Sequence, residues 1–162
     1  MTDSLNSFIA SVPQVPWFRN VSQPLEGQSV RRLDSWKDWT GPQDPKVEAV
    51  HLEQQAVRED LERALGTRRE ELLAVWERVE ELVITAAGPV VGYDSSEDTW
   101  HAPSAAVWHA AWTACLVAWH VALGRALPRS IAEQWEWFKR GRWPAAFASI
   151  DETGRGSGWQ VL

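Results

Sequence analysis

Between Pro103 and Leu123 the chain is apolar on almost every side of a helix, interrupted mainly by His109, Thr113 and His120. Such a segment either crosses a membrane, for which about 20 residues suffice, or forms the buried centre of a fold. The interrupting polar residues and the abundance of alanine favour the centre, and no membrane span is expected. The rest of the chain must then supply elements whose apolar faces cover this one helix.

Three further helices are predicted. The first begins at Asp44-Pro45, a good N-cap followed by proline at the first helical position. Val47, Val50, Val57, Leu61 and Leu65 recur at helical spacing, and Gly66 is the expected stop. The second begins at Thr67-Arg-Arg-Glu70, which has the form of a capping box. It carries Leu72, Trp76, Val79 and Val83 and ends at Gly88-Pro89. The short connection makes the two an antiparallel hairpin. After the central helix and Gly124, a fourth is expected from Ser130-Ile-Ala-Glu133, a second capping box, to Gly141. Trp143–Phe147 reads as one more turn or a short helix.

The fold class that follows is all-α, a compact bundle of four main helices in one domain spanning 1–162. Residues 1–42, punctuated by Pro13, Pro16, Pro24 and Pro42, are expected to wrap the bundle as irregular chain, with at most one short β-hairpin, Ser29–Leu33 offering a strand. Residues 43–148 form the helical core. Residues 151–162, with Gly154-Arg-Gly-Ser-Gly158, read as a flexible tail.

Cys115 is the sole cysteine, so no intrachain disulfide or cysteine-rich zinc site is available. The first residues hold no basic stretch followed by an apolar run, so no signal peptide is expected and the cytoplasm is the default compartment. The net charge of −6 opposes general nucleic-acid binding. Local charge is uneven, since Arg125, Arg129, Lys139, Arg140 and Arg142 interleave with Trp135, Trp137 and Trp143. Basic and aromatic groups together suit single strands or phosphates, but they also suit a helix C-terminus, and the overall acidity favours the latter.

Two groups of residues carry the candidate chemistry. At about 100° per residue, Trp108, Trp112 and Trp119 form one stripe of the central helix, with Cys115 at its edge, while His109, His120 and Thr113 lie beside it. His109 and His120 are about 16 Å apart along the axis, too far to share a metal with bonds of about 2 Å. Loop 88–102 follows the second helix, and within it Tyr93, Asp94, Glu97, Asp98 and His101 gather hydroxyl, carboxylate and imidazole groups. Their spacing fits neither an EF-hand nor a His-Glu-x-x-His site, and such residues are ordinary in loops. No metal site and no cofactor are called for, and Cys115 is expected to be an inert buried thiol.

The 12 tryptophans are the remaining oddity. Most serve as core, but tryptophan also anchors interfaces. Trp36, Trp39, Trp137 and Trp143 are the interface candidates, Trp137 because it falls about 200° from Trp135 on the fourth helix. Two functions are open from the sequence. One is a small soluble cytosolic binding protein acting through protein–protein contact, with a protein partner or as a homodimer. The other is a small-molecule or metal-binding pocket, enzymatic or not, lined by Tyr93, Asp94, Asp98, His101, Trp108, His109 and Trp112 between the central helix and loop 93–101.

Overall fold

A computed structural model of the chain describes residues 3–21, 44–87 and 102–161, with side chains within these except at 19–21 and 102–105. Trp36, Trp39, Ser29–Leu33 and loop 93–101 with Tyr93, Asp94, Asp98 and His101 lie outside the described residues. The described fold is compact and mostly helical, with one short antiparallel hairpin.

Residues 3–21 are mostly helical, which corrects the expectation of irregular chain there. Helix α1 spans Asp3–Ser11, a 3-10 turn covers Val12–Gln14, and α2 spans Pro16–Val21. Prolines begin these elements instead of excluding them: Pro13 lies in the first residues of the turn and Pro16 opens α2. Leu5, Ile9, Val12, Val15, Trp17 and Phe18 are buried.

Helix α3 covers Pro45–Ala64, and the Asp44 carboxylate accepts from the Lys46 N–H at 2.9 Å, as its cap position predicts. The turn to α4 (Arg69–Ala87) is a short 3-10 segment, Gly66–Arg68. Thr67 lies inside that segment, so it does not sit at the cap position expected of it. Arg68 instead reaches across to donate to the carbonyl of Ala122 at 2.9 Å while pairing with Glu71. It thereby covers the carbonyl end of α5, which spans Ala102–Leu123.

Helix α5 ends in a Schellman arrangement. Gly124 has φ +62, its N–H meets Val121 O, and the N–H of Arg125 meets His120 O at 2.9 Å. Helix α6, Arg129–Lys139, ends the same way at Gly141, φ +74, with Arg142 N–H on Trp137 O. Its start differs from the expected capping box. The cap position is Pro128, Ser130 lies in the first turn, and Glu133 is engaged by Arg129 at 2.7 Å and by the indole N–H of Trp159 at 2.9 Å.

Trp143–Phe147 is not a further helical turn and 151–162 is not a loose tail. Strands β1 (Pro144–Ile150) and β2 (Gly156–Val161) pair antiparallel, with Phe147 opposite Trp159 and Ser149 opposite Ser157. The Asp151 carboxylate nucleates the turn, accepting from the N–H groups of Thr153 and Arg155 and from the Thr153 hydroxyl. Its pKa is lowered by these bonds, the one from the Thr153 hydroxyl first. The Phe147 and Trp159 rings sit 4.6 Å apart and close over Ala49 and Val50 of α3.

Helix α5 is the centre. Over Ala106–Leu123 it is long and apolar enough to cross a membrane, and 78% of that window is buried inside the fold. Helices α1, α3, α4 and α6 all pack against it. On the α4 side, the Trp119 indole donates to Leu72 O at 2.6 Å and the Cys115 thiol to Trp76 O at 3.4 Å. Burial pushes the Cys115 pKa well up, leaving a protonated, inert thiol. Phe8, Trp17 and Phe18 close over Trp135 and Phe138 of α6, with ring centroids 5.1–6.3 Å apart.

Candidate functional site

His109 and Thr113 are one turn apart on the face of α5 that looks toward α3 and α6. Both are buried. The indole N–H of Trp143 can only donate, and it meets His109 Nδ1 at 2.9 Å. Nδ1 is therefore the unprotonated acceptor. The ring proton sits on Nε2 and is donated to Gln134 Oε1 at 2.8 Å. The same Gln134 oxygen accepts from Gln54 Nε2 at 2.8 Å, and Gln54 Nε2 also reaches Thr113 Oγ1 at 2.9 Å. The Thr113 hydroxyl is 2.9 Å from His109 O and 3.1 Å from Gln134 Oε1.

This network fixes Gln134 as well as His109. Turning the Gln134 amide over would set its NH2 against two donors, His109 Nε2–H and Gln54 Nε2. One connected set of hydrogen bonds thus ties α3, α5, α6 and the segment entering β1. Burial lowers the His109 pKa to about 3; the Gln134 bond opposes that shift and the neighbouring His51 adds to it. His51, one turn before Gln54 on α3 and at the solvent-facing margin, places its ring 6.1 Å from that of His109. Its own pKa is lowered by partial burial.

With both ring nitrogens engaged, His109 has no lone pair free for a proton or a metal ion. A neutral, doubly bonded imidazole is a structural group. Trp143, expected at an interface, is buried, because its indole N–H completes this network. His120 also turns inward: its Nδ1–H donates to Leu116 O at 2.7 Å, and burial lowers its pKa. Among the described residues no group of three or more His, Cys, Asp or Glu side chains could hold a metal ion.

Gln54 and Gln134 escaped the sequence reading, although a signal existed. Each is a polar residue at a core position of an apolar stripe, Gln54 between Val50 and Leu61, Gln134 between Ile131 and Phe138. Both are buried. A polar side chain there must find a buried partner.

The tryptophan stripe of α5 opens toward solvent as it runs back along the helix. Trp119 is buried, Trp112 is half-buried against Trp76, and Trp108 is 37% exposed. The Arg58 guanidinium lies over both Trp76 and Trp112, 4.8 and 5.0 Å from their centroids, and pairs with Glu62 at 2.8 Å. Trp108 and Leu52, 57% exposed, are the exposed large hydrophobics among the described residues. Trp137 is half-exposed on the outer side of α6, with the Arg140 guanidinium 5.4 Å from its ring.

No protein-family model matches this chain, and no curated protein or solved structure is significantly similar to it.

Proposed function

We propose that this chain is a small cytosolic binding protein that acts through protein–protein contact. The observation that carries the reading is the exposed indole of Trp108 at the open end of an otherwise buried tryptophan stripe. A rigid aromatic surface of that kind is a preferred interface anchor. Trp137, backed by Arg140, adds a second aromatic on another face. The engagement of both His109 nitrogens supports the same reading, since it removes the best general base from the competing pocket hypothesis. The acidic charge suits a basic partner surface.

The test compares affinity capture by the wild-type protein with capture by Trp108→Ser and Trp137→Ser. Both side chains reach solvent, so these changes cost less than substitutions in the core. A specific partner, or a second copy of the chain, should be retained by the wild type and lost on at least one substitution, with a helical circular dichroism spectrum unchanged. Identical retention by all three proteins would remove the basis of the reading.

A further inference from the structure

Three buried side-chain atoms among the described residues have no hydrogen-bond partner: Gln134 Nε2, Ser130 Oγ and Glu53 Oε2. Two independent anchors draw together the helix faces that carry them. Gln54, next to Glu53 on α3, meets Gln134 on α6 at 2.8 Å. Farther round each helix, Ala49 and Val50 of α3 pack under Phe147 and Trp159, and the Trp159 indole reaches Glu133 of α6. At about 100° per residue, Glu53 lies between the Gln54 and Ala49 directions on α3, and Ser130 between the Gln134 and Glu133 directions on α6. All three side chains therefore leave their helices toward the same seam, where α3 and α6 meet the hairpin.

Their chemistry selects the occupant. The Gln134 amide nitrogen only donates, the Glu53 oxygen accepts, and the Ser130 hydroxyl does either. A cation is opposed by the amide N–H groups and an anion by the Glu53 carboxylate. What fits is a small neutral molecule that accepts from one side and donates to the other, and water is the species that buried polar groups of this kind ordinarily share. We propose that this seam is a built site for one ordered water, bridging Gln134 Nε2 to Ser130 Oγ and Glu53 Oε2 and extending the His109 network toward the hairpin.

The test is a crystal structure of the full chain at a resolution where ordered solvent is visible, with the Ser130→Val variant beside it. The expected wild-type result is a water within hydrogen-bond distance of Gln134 Nε2 and of at least one of the other two atoms. Valine places a methyl where the hydroxyl was, and the water should be lost while the Gln134–His109 bond stays. The proposal is overturned if Gln134 Nε2 meets a protein acceptor, if no water contacts it, or if the water persists unchanged beside Val. The wild-type density decides alone should the variant not fold.

Discussion

Protonating His109 would put a second N–H on Nδ1, against the Trp143 indole N–H 2.9 Å away, and a charge where burial already lowers the pKa to about 3. An unfolded chain meets no such resistance, and there the imidazole titrates near its ordinary 6.5. Because the folded pKa is the lower one, the unfolded state binds the extra proton first. The stability His109 contributes is therefore full above about pH 6.5 and is lost as pH falls toward about 3, at about 1.4 kcal/mol per pH unit. Denaturant unfolding of wild type and His109→Gln across this range should show that slope as the difference between the two. Parallel curves would mean that His109 titrates alike in both states. Trp143→Phe keeps the ring but leaves Nδ1 buried without a donor, and should cost about 1–3 kcal/mol in the same assay. The His109–Thr113 face was legible from helical spacing alone. Its partners were not, because Gln54 and Gln134 stand 80 residues apart in the chain and meet only once the packing of α3 against α6 is known.

At the scale of elements, capping chemistry located the long helices. Asp44-Pro45 marks the start of α3, and Gly124 and Gly141 mark the ends of α5 and α6 through positive φ. The same vocabulary misled at both termini. Pro13 and Pro16 suggest irregular chain but lie in the first turns of helical elements, and the glycines of 154–158 suggest a flexible tail but shape a hairpin. Gly156 shows why a glycine stands there: a Cβ at this position would overlap the Phe147 ring. Gly156→Ala should therefore force Phe147 off Ala49 and Val50 and lower stability by about 1–3 kcal/mol, read as a fall in the thermal midpoint. An unchanged midpoint would show that the Phe147 ring does not pack against Gly156. Ser130 and Thr67 fail as caps for a different reason: Thr67 lies inside the 3-10 turn and Ser130 inside the first turn of α6, whose cap position, Pro128, makes no side-chain hydrogen bond.

For the whole molecule, the apolar run of α5 dictates a central helix ringed by others, and the structure follows that logic closely. Its polar residues His109 and Thr113 join neighbouring elements through connected buried hydrogen bonds. Chemistry at His109 would require breaking that connection, whereas the proposed contact through the exposed indole of Trp108 would leave it intact. The most direct measurement is the nitrogen NMR spectrum of the His109 imidazole in the intact protein. It should show the proton on Nε2, an unprotonated hydrogen-bonded Nδ1, and no change from about pH 7 to about pH 5. A proton on Nδ1, or titration near the ordinary value, would contradict the sealed network and return His109 to the list of groups free to do chemistry.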